Sequence, residues 1–445
     1  MGFGKGSRKM KEKVWAATAV LLFAAPLCFG YSFLTHEAIV DMAWQTSIKP
    51  VLLRYYPHAT PAQLREARAY AYGGSTIQDA GYYPFGHSLF SDLTHYVRTG
   101  DFVVNLIRQS RNIDDLAFAL GALSHYVGDT IGHRYCVNIS VPLEFHQLEQ
   151  VYGPVVTYEE NEHDHVRTEF AFDIDQLSRR RFASVGYRRS IGIRVPRRLL
   201  ERAFYDTYGI SLRSVLGNEF AALRSYRWAL RDFLPRIAAA EVLLHRKSLP
   251  PDVHDPQFAE FQQRLRAAAR AGHWAAYRRE GNGFLTHAVA ALIFITPRIG
   301  PLSDVALRGP EIGTEENYVA SVNRAVDLYG KLLGELAHEN RSAFSLPDLD
   351  LDTGYITRPG YYRLTDITYS RLLHRVTERK AMPPAGLRRN ILAYYSNPAA
   401  PIVSKRYPRR WKRIQQELAT LRAMPATRIP QMKQVRSQNG PQAHP

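Results

Sequence analysis

Between Ala122 and Tyr135 the chain reads ALSHYVGDTIGHRY, with His125, Asp129 and His133 spaced four apart among Ala, Leu, Val, Ile and Gly. Imidazole nitrogens and carboxylate oxygens are the ligands that zinc takes when it activates water. At roughly 100° per residue, the three side chains fall within about 80° of one another on one helix face. Gly121, Gly128 and Gly132 lie on the same face. A glycine inside a helix costs about 1 kcal/mol relative to alanine, so three of them mark a face that other helices approach closely. Two other readings compete with a metal site, a satisfied buried polar cluster and a polar face turned to solvent. The apolar flanks argue against the second.

Other candidate ligands lie around this stretch. HVRTE places His165 and Glu169 four apart on a predicted helix. STIQDAGYYPFGHSLFSDLTHY supplies Asp79 and His95, with His87 and Asp92 between them. His36 stands near the start, in YSFLTH. Nine of the 16 histidines fall between His36 and His165, so the ligand-rich part is the N-terminal third. A lone His-x3-Glu pair is commonly a surface ion pair. Four clusters in this order are a more specific signal.

These residues need helices to position them, and helical signals dominate. Thr60-Pro61 with Gln63 forms a cap with proline at the first helical position, and Gly73-Gly74 closes that helix. Asn112, with Asp114 and Asp115 in the first turn, opens a helix expected to run to about His133. Residues 198–208, 211–245, 256–271 and 315–339 also read as helices, and Phe284–Pro297 reads as a buried one, too short for a bilayer. No strand-like alternation is sustained. The expected class is all-α, a helical bundle extended by a C-terminal helical region over 174–422. Residues 423–445 lack an apolar period and are expected to be disordered.

The first thirty residues read as an export signal. Lys5, Arg8, Lys9, Lys11 and Lys13 form a basic segment, Val14–Leu27 an apolar run, and Gly30 a small residue before Tyr31. Without residues 1–30 the chain carries 53 Lys and Arg against 40 Asp and Glu, a net charge of +13. That favours anionic partners, though a solvated basic surface would read the same way. Only Cys136 then remains, so no internal disulfide is available and a metal is one candidate for rigidifying the fold.

With these four clusters in this order, the sequence resembles the zinc-dependent phospholipase C / S1–P1 nuclease superfamily, most of all its bacterial phospholipase C-like members, over Tyr31 to about Asp173. The resemblance implies an all-α core holding three zinc ions and completed, in this chain, by helices from 174–300. It implies that Asp79, His95, His125 and Asp129 hold the first zinc, and that His133, His165 and Glu169 hold the second. The third would take His36, Asp129 as a bridge, and the α-amino and carbonyl groups of Tyr31. Asp79 would be ligand and general base together. This chain has His125-x3-Asp129-x3-His133 where familiar members have a longer second interval, and Tyr31 where they have Trp. Glu169 and the missing disulfides match the phospholipase side.

The resulting expectation is an exported zinc-dependent phosphodiester hydrolase that cleaves phospholipids. A single-strand nuclease on the same scaffold is the first alternative. A non-catalytic, zinc-stabilised protein that binds lipid or nucleic acid is the second. Tyr82, Tyr83, Phe85 and Tyr96 follow the first ligands closely. They could cage a quaternary ammonium headgroup, stack a base, or simply pack the core. Asp92 and Asp164 are candidates to support ligand histidines. The basic segments at 179–181, 187–190 and 406–413 could touch an anionic membrane or nucleic acid, or be solvated surface. Nothing in the sequence points to an obligate protein partner.

Overall fold

The computed structural model describes residues 32–245, 255–277, 310–378 and 382–425. The export signal, Tyr31, the apolar run at 284–297 and all but the first few residues of the tail lie outside the described residues. Among those described, regular structure is helical apart from one pair of two-residue strands. The all-α expectation therefore stands. No described helix is long and apolar enough to cross a membrane.

The central element is the helix α5 (Ile113–Gly132), preceded by α1 (Phe33–Ala43), α2 (Pro61–Gly74), α3 (Ser88–Tyr96) and α4 (Thr99–Gln109). Two more long helices, α6 (Glu162–Ser178) and α7 (Ile312–His338), pack around the same core, and α8 (Arg363–Glu378) packs on α3. The expected caps are present. The Thr60 amide donates to Gln63 Oε1 at 2.9 Å and the Gln63 amide to Thr60 Oγ1 at 3.3 Å, a reciprocal capping box at α2. The Asp115 amide donates to Asn112 Oδ1 at 2.8 Å and opens α5.

Every residue of α5 except Asp114 is buried, so this helix is enclosed on all sides rather than amphipathic. It does not stop at His133. Residues His133–Val137 form one π-helical turn that leads into a short helix, Asn138–Glu144. The segment expected as a single helix over 211–245 is broken at Gly217 into Leu212–Leu216 and Glu219–Trp228, with a further π turn before Leu234–His245.

Two of the three glycines of α5 do what their spacing suggested. A Cβ on Gly121 would lie 2.1 Å from the Ala71 carbonyl oxygen, and one on Gly74 would lie 2.1 Å from that of Phe118. The backbones of α2 and α5 thus touch at this crossing. At Gly128 a Cβ would come within 3.0 Å of the His36 ring, so the missing side chain makes room for an imidazole.

The two strands, β1 (Leu349–Asp350) and β2 (Tyr355–Ile356), pair antiparallel with Leu349 opposite Ile356 and Asp350 opposite Tyr355. Their turn contains Gly354 at φ +68°, where a Cβ would also press to 2.5 Å on the Thr130 carbonyl oxygen. Glycine is required there both by the left-handed backbone and by the seat on the end of α5. The basic run at 179–181 is largely folded in: Arg179 pairs with Asp175 at 2.7 Å and Arg181 with Glu315 at 3.0 Å. Buried Arg188 pairs with Glu37 at 2.5 Å.

Substituting Gly121→Ala should lower unfolding stability by about 1–3 kcal/mol through overpacking at the α2–α5 crossing. Denaturant titration of the chelator-treated protein measures this without interference from bound metal. A neutral substitution would mean the helices can part at no cost.

Candidate metal centre

Six segments deliver the candidate ligands. His36 comes from α1, Asp79 from the 3₁₀ turn Ile77–Gly81, His95 from α3, and His125 and Asp129 from α5. His133 begins the π turn, and His165 and Glu169 sit one turn apart on α6. All eight side chains are buried. Their donor atoms gather into three groups, each within 4.8 Å: His36, His125 and Asp129; Asp79, His95 and His125; and His133, His165 and Glu169.

The distances link the first two groups through Asp129. Its Oδ1 lies 3.1 Å from His36 Nε2, and its Oδ2 lies 3.0 Å from His125 Nε2 and 3.2 Å from His95 Nε2. Asp79 Oδ1 lies 3.2 Å from His95 Nε2 and 3.8 Å from His125 Nε2. In the third group Glu169 Oε1 is 2.9 Å from His165 Nδ1 and 3.7 Å from His133 Nε2.

The outer ring nitrogens settle which atoms face inward. His95 Nδ1 meets the Ser91 carbonyl at 2.8 Å, His125 Nδ1 that of Ser75 at 3.1 Å, and His133 Nδ1 that of Leu351 at 2.8 Å. A carbonyl only accepts, so each Nδ1 carries its hydrogen and the neutral ring offers an Nε2 lone pair to the cluster. His165 is turned the other way. The Asn138 amide nitrogen donates to the Asp352 carbonyl at 2.8 Å, so its Oδ1 accepts from His165 Nε2 at 2.9 Å and leaves Nδ1 facing Glu169.

Acceptors therefore face acceptors. His95 Nε2 and His125 Nε2 lie 3.4 Å apart, a contact that admits at most one proton. Both oxygens of Asp79, of Asp129 and of Glu169 are buried without a hydrogen-bond donor in good geometry. Buried carboxyl groups in such surroundings need a cation or a proton, and burial pushes Glu169 well above its ordinary range. A set of imidazole and carboxylate donors without thiolate fits zinc.

Residues 35–218 match the family model described as zinc-dependent phospholipase C. This part of the chain is similar to that family. No curated protein and no solved structure matches the chain.

The zinc-dependent phospholipase C match ends at residue 218, but the support of the ligands does not. The β1–β2 hairpin supplies the Leu351 carbonyl to His133, and Asp352 Oδ1 lies 3.8 Å from His133 Nδ1. Asp352 Oδ2 accepts from Tyr96 and Tyr362, both at 2.8 Å. The expectation that helices from 174–300 complete the core was thus too narrow, because residues 349–362 also buttress it. Asp92 and Asp164 do not support ligand histidines. Asp92 pairs with Arg371, and Asp164 with Arg167 at 3.0 Å.

Sequence reasoning also missed Asp173. One turn beyond Glu169 on α6, it accepts from the Leu34 and Thr35 amides at 2.8 and 3.0 Å and from Thr35 Oγ1 at 2.6 Å. It caps α1 and so fixes where His36 points. The only signal for it was the His-x3-Glu-x3-Asp spacing of 165, 169 and 173.

The four aromatics separate. Tyr82 and Tyr96 each lie 6.1 Å from the His95 ring. Tyr83 is buried edge-on against Tyr226 at 5.3 Å. Phe85 is 69 % exposed and lines an open groove with Phe220 and Trp228, so it does not pack beside the ligands as Tyr82 does.

Protonation in the metal-free chain follows from the same contacts. Burial opposes charge on His95, but Asp129 and Asp79 outweigh it and hold this imidazole well above its ordinary range. Burial likewise opposes charge on His133, yet Glu169, Asp352 and Asp129 raise it to about 9. His36 and His165 are lowered, mainly by burial. Burial would raise Asp129, but His125, His36 and His95 keep it well below the usual carboxylate range.

His133 therefore carries an extra proton near neutrality, and a metal must displace it. Zinc added to the chelated protein at about pH 7 should release protons, and affinity should rise as pH climbs toward about 9. Calorimetry in buffers of different ionisation enthalpy reads the released protons directly. Zinc binding without proton release would contradict these protonation states.

Proposed function

We propose that the protein is an exported zinc-dependent phosphodiester hydrolase of the phospholipase C type. The observation that carries this reading is the convergence of three groups of buried, inward-facing imidazole and carboxylate groups, in a segment that matches the zinc-dependent phospholipase C family model. His36, His125 and Asp129, then Asp79 and His95, then His133, His165 and Glu169 would hold zinc, with three ions the expected number. Zinc bound there supplies a Lewis acid for the phosphoryl oxygens and lowers the pKa of water into the neutral range.

The chain's own residues do the rest. Nδ1–H donation to the carbonyls of Ser75, Ser91 and Leu351 fixes the rings of His125, His95 and His133, so little reorientation is needed in the reaction. Asp79 is fully buried beside His95, one of the two ligand histidines with any solvent exposure. Its carboxylate would accept a proton from an attacking water, the role of a general base. His95 and His133, at 3 % each, are the least buried of these residues. Tyr82 and Tyr96 beside His95 are available to contact the headgroup.

Export rests on the basic and apolar segments of residues 1–30. Cleavage after Gly30 would free the α-amino group of Tyr31, which the family resemblance assigns as a ligand beside His36. Asp129 would help to hold that ion.

Substitution Asp79→Asn should lower turnover by about a hundredfold or more while the fold persists. Initial rates on phosphatidylcholine micelles, with circular dichroism as the control, test this. Wild-type rates in the variant would remove Asp79 from the mechanism. Faster cleavage of single-stranded DNA than of phosphatidylcholine by the unaltered protein would favour the nuclease reading. N-terminal sequencing of the exported protein should give Tyr31 first, and a precursor retaining residues before it should be less active. Full activity in that precursor would contradict the amine ligand.

A further inference from the structure

We propose that the β1–β2 hairpin and the surface around it are the protein's docking site for an anionic phospholipid surface, an inference that rests on the phospholipase reading above. Large apolar side chains exposed among the described residues number thirteen, and four of them, Val155, Tyr355, Ile356 and Tyr361, line one cavity of about 240 Å³. Scattered exposed apolar residues need no explanation, but a cluster does. Tyr355 is 52 % exposed, Ile356 56 % and Tyr361 74 %.

Charge decides the occupant. Arg134 and Arg358 line the same cavity, and among the described residues neither has a carboxylate partner. Arg134 lies over the Tyr355 ring at 4.1 Å and Arg358 over that of Tyr361 at 5.8 Å. The acidic groups nearby are occupied. Glu159 pairs with Arg363, and buried Asp350 accepts from Thr353 and Thr365. Tyrosine and isoleucine presented with guanidinium groups suit the boundary between lipid headgroups and acyl chains. The aromatic and aliphatic parts enter the boundary and the cations meet phosphates.

The location gives the contact a purpose. The hairpin that exposes Tyr355 and Ile356 also supplies Leu351 and Asp352 to His133, one of the two most accessible ligands. A lipid surface engaged by the hairpin tip would therefore lie against the same hairpin that holds His133. The Tyr362 hydroxyl ties the same loop to Asp352.

The test uses the zinc-loaded full-length mature protein, floated on ice with vesicles of phosphatidylcholine and phosphatidylglycerol. The double variant Tyr355→Ser/Ile356→Ser should lose at least about tenfold in vesicle partition. Arg134→Gln/Arg358→Gln should lose several-fold on vesicles containing phosphatidylglycerol and little on phosphatidylcholine alone. Hydrolysis of a short-chain phosphatidylcholine below its micelle concentration should stay within about twofold of the unaltered protein in both variants, since contacts with a lipid interface do not act on a dissolved monomer. Undiminished flotation of both variants, or parallel loss of flotation and monomer hydrolysis, would overturn the proposal. Flotation that depends on these residues in a protein that hydrolyses no phospholipid monomer would support the docking surface and refute the phospholipase reading.

Discussion

The constraint on which this structure depends is a buried excess of acceptors. Asp79, Asp129 and Glu169 present oxygens to inward-facing ring nitrogens with almost no access to water. Such a cluster is unfavourable unless cations or protons fill it, because isolated charges cannot be taken from water cheaply. The surrounding contacts remove the easy escape of swapping tautomers. Backbone carbonyls hold Nδ1–H of three histidines, and Asn138 holds His165 in the opposite sense. The fold is thus committed to an acceptor-rich centre by contacts that lie outside the cluster.

That commitment explains several features of the architecture. A central helix buried on all sides places His125 and Asp129 deep, and the bare crossing at Gly74 and Gly121 lets α2 come close enough to set Ser75 against His125. Gly128 leaves space for His36, while Asp173 on α6 holds the start of α1. One helix therefore supplies His165 and Glu169 directly and controls His36 through Asp173, one turn further on. The hairpin at 349–356 closes the cluster from a part of the chain more than two hundred residues away from His133.

Much of this was legible in the sequence. Four-residue spacing on a helix face is a local property, so His125, Asp129, His133, His165 and Glu169 could be read from spacing alone as sharing faces. The caps at Thr60 and Asn112 were equally local, and the all-helical class followed from them. What could not be read was long-range. Asp352 sits in LPDLDLDTGY, whose alternating aspartates and Thr-Gly look like an ordinary turn. Only folding brings it to His133. Nearness in sequence misled for Asp92 and Asp164, whose side chains turn to arginines instead. The same holds for Arg179, Arg181 and Arg188, which look like surface charge in the sequence and are paired in the interior of the fold. The break at Gly217 was missed because the apolar period continues across it.

The most direct test of the account is diffraction from crystals of the mature protein grown with zinc, with anomalous data collected on both sides of the zinc absorption edge. The account predicts zinc peaks within the groups of His36, His125 and Asp129, of Asp79, His95 and His125, and of His133, His165 and Glu169. Their absence, with the same side chains in place and shared protons or water in the gaps, would contradict it.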